Sequence, residues 1–351
     1  MKAKRIMIKI GTKVLNDEQR NLDKKHIQHI VKQISTLKKQ GLDIIFVTSG
    51  AVAAGRARLK DIKDNSTLNQ QLFAAVGQVD LMKTYSDLFA KYSFTIAQVL
   101  VTKEDFRDRE HYFHMRNCIE GLLHEKVIPI VNENDVTATG ELLFTDNDEL
   151  TGLLASMINA EQVVILSSVD GFMEGNKLIP EIDFTQGEEY NKFILKEKTA
   201  GGRGGMETKF NIARKLSAQG IETIIANGRN QNILIELVNG AKHGTRFVAN
   251  KKINNTKRRI AYVPTGSNCS ITVNECTEEL LLKKETTMSL LPIGVVKVVG
   301  EFIKGDTVVI SGPSGKTLGV GIVSYDSSLL NKYLGKKNQK EIIHYDKLYI
   351  D

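Results

Sequence analysis

The sequence predicts an α/β architecture: an open, mostly parallel sheet sandwiched by helices, followed by a small C-terminal β-barrel. Three observations carry this. Apolar, β-branched runs alternate with helix-period segments up to about residue 250, which is the pattern of βαβ units. Beyond a basic stretch at 251–257 the runs become short and punctuated by glycine, as in a small barrel. The chain length of 351 residues suits two domains, expected at 1–255 and 256–351.

Taken in order, residues 6–10 form a buried strand that Gly11 ends. Ile27, Ile30, Val31, Ile34 and Leu37 then recur at helical spacing; Asn21 or Asp23 can cap that helix and Gly41 can stop it. Residues 44–47 are a second strand, and the small residues of "TSGAVAAG" lead into a helix. Strands follow at 95–101 and 127–131 with a helical stretch between them. Residues 149–160 read as a helix, 162–168 as a strand, 209–220 as a helix and 221–228 as a strand. In the tail, "SGPSGKT" is not a Walker A loop, because Ile310 stands where the first glycine belongs. It reads as a hairpin turn.

Composition narrows the class. Hydrophobic residues are 41% and charged residues 25%, ordinary for a globular protein. No apolar run approaches the roughly eighteen residues of a membrane span. The N-terminal "MKAKRIMIKIGT" is interrupted by Lys9 and too short for a secretory core. The expectation is a cytoplasmic protein with no membrane partner. Cys118, Cys269 and Cys276 are odd in number and lack metal-ligand spacing, which fits a reducing compartment; Cys269 and Cys276 are expected as buried thiols. A net charge of +7 permits phosphate-bearing partners.

In an open α/β sheet, ligands bind at the carboxyl ends of the strands. The segments there are Lys9 with Gly11 and Thr12, "TSGA" (48–51), "NENDVTATGELLFTDNDEL" (132–150), "SSVDGF" (167–172) and "TAGGRGGMETK" (199–209). Nine Asp, Asn and Glu residues fall within the eighteen positions 132–149, which suggests a loop that holds a ligand. Four glycines lie within 201–205, and Lys209 follows. Glycine lets backbone N–H groups approach phosphate oxygens, and a helix start adds positive potential. Lys9 sits in a core strand, where a charge must either be used or reach the surface. Two cations, phosphate-friendly loops and carboxylates at the strand ends suit phosphoryl transfer, which relies on positioning and charge stabilisation.

With these segments aligned, the chain resembles the glutamate 5-kinase branch of the amino acid kinase family. The residues that carry the likeness are "IKIGTKVL", "VTSGAVAAGR", "VNENDVTA", "LLFTDNDELTGLLA" and "GGRGGMETK", and the β-rich tail is similar to a PUA domain. The resemblance implies the amino acid kinase fold and the transfer of phosphate from ATP, with Mg²⁺, to the γ-carboxylate of L-glutamate, the first step of proline biosynthesis. It implies that Ser49, Asp135 and Asn147 bind glutamate, with Asp146 facing its α-ammonium group and Asn132 assisting. Lys9 and Lys209 would stabilise the moving phosphoryl group, and Asp148 would hold both lysines. Gly11, Gly50, Ser167, Ser168, Arg203, Gly204, Gly205, Met206, Glu207, Thr208 and Lys209 would meet the nucleotide. One departure stands out: the family often has Thr-Asp where this chain has Ser167 and Ser168, and a carboxylate appears only at Asp170.

Further implications are feedback inhibition by proline at a site overlapping the glutamate loop, and a homo-oligomer (dimer or tetramer). The instability of an acyl phosphate would favour transfer to glutamyl phosphate reductase. The tail has few aromatic residues for stacking, and Tyr262, Phe302 and Tyr325 read as core, which argues against specific RNA binding. "AAVGQ" (74–78) reads as helix packing, and "FRDREHY" (106–112) as a surface segment near the substrate or a subunit contact.

Overall fold

The computed structural model describes residues 4–19, 21–62, 66–138, 144, 147–175, 177–186, 205–250, 269–283 and 288–350. The chain divides into two compact units, Met1–Asp105 with Glu110–Lys252, and Phe106–Arg109 with Ile253–Asp351.

The first unit is organised by strands β1 (Arg5–Ile10), β2 (Asp43–Val47), β3 (Ile96–Val101), β4 (Ile128–Glu133) and β5 (Gln162–Ser167). The short β6 (Met173–Glu174), β7 (Lys177–Leu178) and β8 (Glu181–Ile182) come next, then β9 (Glu222–Asn227) and β10 (Thr245–Phe247). Eight of these form one sheet in the order β3-β4-β2-β1-β5-β9-β10-β8. Pairing is parallel from β3 to β9; β10 runs antiparallel to β9. The order reverses direction about β1: successive strands lie first on its β2 side, then on its β5 side. That switch point leaves a crevice at the carboxyl ends of β1, β2 and β5.

Helices cover the faces: α1 (Thr12–Leu15), α2 (Lys24–Lys39), α3 (Ala51–Arg58), α4 (Thr67–Ala90), α5 (Lys103–Arg107), α6 (Arg109–His124), α7 (Asn147–Met157), α8 (Met206–Ala218) and α9 (Ile233–Val238). The expected apolar stripe of α2 is buried. Asp23, not Asn21, is its cap, accepting the His26 N–H at 3.0 Å, and Gly41 leaves the helix with φ +87°. Ile6, Ile8 and Ile10 of β1 are fully buried in one cluster with Ile44 and Phe46 of β2 and Val164 and Leu166 of β5.

The "AAVGQ" segment packs as expected. A Cβ on Gly77 would lie 1.8 Å from the Ala51 carbonyl oxygen, and one on Gly55 equally close to that of Phe73. Backbone-to-backbone contact between α3 and α4 therefore requires both glycines. This contact fixes the start of α3, where Gly50 adopts φ +101°.

The second unit holds β11 (Ser270–Val273), α10 (Glu275–Leu282), β12 (Val295–Val299), β13 (Thr307–Ser311), β14 (Thr317–Ile322), α11 (Ser327–Tyr333) and β15 (Leu348–Ile350). Its sheet runs β12-β11-β13-β14-β15 around a core of its own that contains Phe302. "SGPSGKT" is the β13–β14 turn: the Gly312 N–H donates to the Lys316 carbonyl, and Gly315 has φ +80°. The expectation of buried thiols fails. Cys276 is exposed and Cys269 is partly so, because the former lies on the outer face of α10 and only Leu281 of that helix is buried. The basic stretch 251–257 and Tyr262 lie outside the described residues.

Candidate active site

The crevice beside β1 contains three charged side chains from distant parts of the chain. Lys9 is the next-to-last residue of β1, and Lys209 lies in the first turn of α8. Asp148 lies in the first turn of α7. The Lys9 ammonium is 2.5 Å from one oxygen of Asp148, and the Lys209 ammonium is 2.8 Å from the other. Lys9 does not reach the surface: its relative exposure is 6%, that of Lys209 8% and that of Asp148 0%. Burial pushes the Asp148 carboxyl up, but the two ammonium groups outweigh it and hold the group below its usual range. The position at a helix N-terminus favours the anion further. Two cations and one anion leave a net charge of +1 at the mouth of the crevice.

A sequence reading that starts this helix at Glu149 leaves Asn147 and Asp148 in a loop; the structure starts it at Asn147. Likewise, Asn132 and Glu133 are the last residues of β4. Rigid elements therefore aim these side chains.

Next to the charged triad is a set of amides. The Asn147 side-chain amide donates towards the Thr48 carbonyl at 2.6 Å, the Ser49 hydroxyl at 2.9 Å and the Asn132 side-chain oxygen at 2.9 Å. Asn132 in turn donates to the Gln78 side-chain oxygen at 3.0 Å. Thr48 shares a hydrogen bond of 2.8 Å with the buried Tyr85 hydroxyl. Asp135 follows β4, and burial pushes its carboxyl up to about 6. It lines a cavity of about 240 Å³ with Ala51, Gln78, Gln98, Leu100 and Glu133. Ser49, Asn132, Asn147 and Asp135 thus all lie at the ends of β2 and β4 or the start of α7. Asp146 and Glu141 lie outside the described residues.

On the other side of β1, the Gly11 N–H donates to the Leu166 carbonyl at 3.1 Å. Among the described residues, a Cβ on Gly11 would meet only that oxygen at 3.6 Å and the Lys9 ammonium at 3.8 Å, and one on Gly205 would meet nothing within 4 Å. Packing of the described residues requires neither glycine, and neither has positive φ, so both leave room for a ligand close to the backbone. Gly205 precedes α8, whose first turn is Met206, Glu207, Thr208 and Lys209. Arg203 and Gly204 lie outside the described residues. Ser167 ends β5 and Ser168 is exposed beyond it. The carboxylate of Asp170 accepts a hydrogen bond of 3.0 Å from Asn227 at the end of β9, so a carboxylate does occur on this rim, two residues after the expected position.

Four further residues belong to this neighbourhood and were not assigned from sequence: Gln78, Tyr85, Lys103 and Glu133. Gln78 and Glu133 stand inside noted motifs, but nothing in their spacing distinguishes them from packing residues. For Tyr85 and Lys103 the sequence carries no signal.

Residues 4–227 match the amino acid kinase family and residues 270–345 the PUA domain. The chain is 42% identical to a glutamate 5-kinase of Chlorobaculum tepidum, covering 99% of this chain and 97% of the relative. It is 41% identical to a glutamate 5-kinase of Bacteroides thetaiotaomicron, covering 99% and 98%. Among solved structures, a carbamate kinase from Giardia lamblia bound to AMP-PNP superposes with a TM-score of 0.54 at 17% identity. It covers 71% of this chain and 99% of that one, a likeness of fold. The chain belongs to the amino acid kinase family and, within it, to the glutamate 5-kinases.

Proposed function

We propose that this chain transfers the γ-phosphoryl group of ATP to the γ-carboxylate of L-glutamate, releasing ADP and γ-glutamyl phosphate, the first step of proline biosynthesis. The observation that carries the reading is the buried Asp148 carboxylate shared by Lys9 and Lys209 beside the Asn132–Asn147–Ser49 cluster. A γ-carboxylate oxygen attacks the γ-phosphorus and the bond to the ADP oxygen breaks. The acceptor, with a pKa of about 4.3, is already ionised at neutral pH, so no general base is required. Lys9 and Lys209 flank the phosphoryl group and offset the charge on its oxygens. Asp148 aims the lysines and takes no proton. Asp146, with Asp135 beside it, faces the ammonium group of glutamate, while Ser49, Asn132 and Asn147 complete its site.

Gly11, Gly50 and the segment from Arg203 to Lys209 approach the phosphates, and Ser167 and Ser168 lie along the nucleotide. Both oxygens of Asp148 face lysines, which makes it a poor metal ligand. Mg²⁺ would therefore be held by ATP oxygens, where it supplies further charge neutralisation. Residues 1–255 form the catalytic domain and 256–351 the appended one. Proline binds as an inhibitor across the glutamate site.

A homo-oligomer, dimer or tetramer, is supported by an apolar stripe on α4. Leu68, Leu72, Val76 and Val79 are 64%, 41%, 37% and 69% exposed and recur at helical spacing. The neighbouring edge strand β3 carries neither charge nor proline, the usual guards of a free edge.

The test is ADP release from Mg·ATP with L-glutamate, hydroxylamine being present to trap the acyl phosphate. Aspartate, N-acetylglutamate and UMP serve as rival acceptors and Lys209→Ala as control. Glutamate-dependent hydroxamate that falls about 100-fold or more in Lys209→Ala supports the reading. Turnover with another acceptor alone overturns the substrate. Calorimetric titration of proline with and without saturating glutamate tests the overlap; independent binding of both would refute it.

A further inference from the structure

Between the amide cluster and the edge of the sheet lies a second set of contacts that the proposed chemistry does not use. Glu133, the last residue of β4, is buried, and its carboxylate accepts the backbone N–H of Phe144 at 2.7 Å. Phe144 is itself 5% exposed and stands three residues before Asn147. The Lys103 ammonium at the start of α5 lies 5.9 Å from the centre of the Phe144 ring. The same ammonium is 3.1 Å from Glu149 in the first turn of α7. Asn147 and Asp148 are therefore bracketed. Glu133 holds the chain before them, and Lys103 holds both Phe144 and the residue just after them.

We propose that Glu133 and Lys103 are positioning residues that brace the first turn of α7, and that through this brace the site's affinity for its acceptor substrate follows the ionisation of Glu133. The assignment of Asn147 to the acceptor rests on the function proposed above; the brace itself does not.

The argument is geometric. Asn147 reaches the Thr48 carbonyl, the Ser49 hydroxyl and Asn132 within 2.9 Å, and these contacts need the α7 start in one place. A hydrogen bond from a backbone N–H to a buried carboxylate is stronger than one to a neutral oxygen. Protonation of Glu133 therefore loosens the hold on Phe144. Among the described residues, the charged groups facing Glu133 are Asp135 just beyond β4, Lys103 from α5 and Glu149 from α7. Burial pushes the Glu133 carboxyl up to about 7; the Phe144 N–H and Lys103 pull it down, while Asp135 and Glu149 push it further up. The brace is thus poised to respond near neutral pH.

Three variants and two readouts test this. Glu133→Ala should raise the KM for glutamate about ten- to a hundred-fold while leaving the KM for ATP within about two-fold. Wild-type KM for glutamate should rise as the pH falls through about 7. Glu133→Gln, which keeps an acceptor oxygen of the same shape, should remove that step. Lys103→Met should move it to higher pH, since a cation that favours the ionised form is lost. Independently of any substrate, hydrogen exchange at the Phe144 amide of the full-length protein should quicken about ten-fold or more in Glu133→Ala. Unchanged exchange at Phe144 overturns the brace. Unchanged KM for glutamate, an equal rise in both KM values, or a wild-type pH profile in Glu133→Gln overturns its link to the acceptor. Failure of the wild-type protein to use glutamate would refute the proposed substrate, and the exchange measurement would still decide the brace.

Discussion

Replacing Asp148 with Asn isolates the carboxylate that two lysines share. The substitution keeps the volume and removes the charge between ammonium groups at 2.5 and 2.8 Å. At an effective dielectric constant of about 20, each contact is worth roughly 6 kcal/mol of gross attraction. Desolvation of the buried ions offsets part of this, and breaking such a pair destabilises by about 3–5 kcal/mol net. Asp148→Asn should therefore lower the unfolding free energy by that amount in urea at neutral pH. The pH dependence should change as well. A depressed carboxyl adds stability above its unfolded value of 3.8 and loses it as the pH falls towards the folded value. That acid-sensitive contribution should vanish in the variant. Mg·ATP should stabilise the variant at least as much as the parent, because the polyphosphate supplies the missing negative charge. kcat should nevertheless fall on the order of 100-fold, since the lysines lose their aim. The assays are urea unfolding with and without Mg·ATP and steady-state kinetics. Stability within about 1 kcal/mol of the parent, with kcat intact, would refute the organising role.

Other outcomes follow from the same geometry. Gly77→Ala places a Cβ 1.8 Å from the Ala51 carbonyl oxygen and should destabilise by about 3 kcal/mol, the upper end for overpacking; an unchanged thermal midpoint would show that the α3–α4 contact can relax. Asp135 should bind the glutamate ammonium only when ionised, so affinity should weaken as the pH falls through about 6. Asp135→Asn should abolish the step near 6 in calorimetry and leave the Glu133 step near 7. Because burial raises this carboxyl, its ionisation in the ligand-free protein reduces stability between 3.8 and about 6, and Asp135→Asn should remove that loss. Val79→Asp places a charge in the α4 stripe and should shift the protein to a smaller species in sedimentation; an unchanged sedimentation coefficient would put the subunit contact elsewhere.

Local pattern alone determined the elements whose signal is local. The apolar run of β1, the stripe and Gly41 stop of α2, and the β13–β14 turn depend on neighbouring residues, and they stand as the sequence predicts. The segments at the strand ends were equally legible, because parallel βαβ topology brings carboxyl ends together whatever the side chains. Tertiary structure decided the rest. Lys9 could have reached solvent or been used; burial beside Asp148 decides it, and that burial depends on α7 and α8 crossing the end of β1. Asn147 and Asp148 read as loop because short polar side chains resemble turn chemistry. Their contacts with β1, β2, β4 and α8 support a helix start instead. Cys276 read as buried from residue type, yet its helix presents it outward. Glu133 and Gln78 stood in noted motifs without a role, and Lys103 carried no signal, for a plain physical reason: their partners are set by where β4, α4 and α5 converge, and no spacing along the chain encodes that convergence.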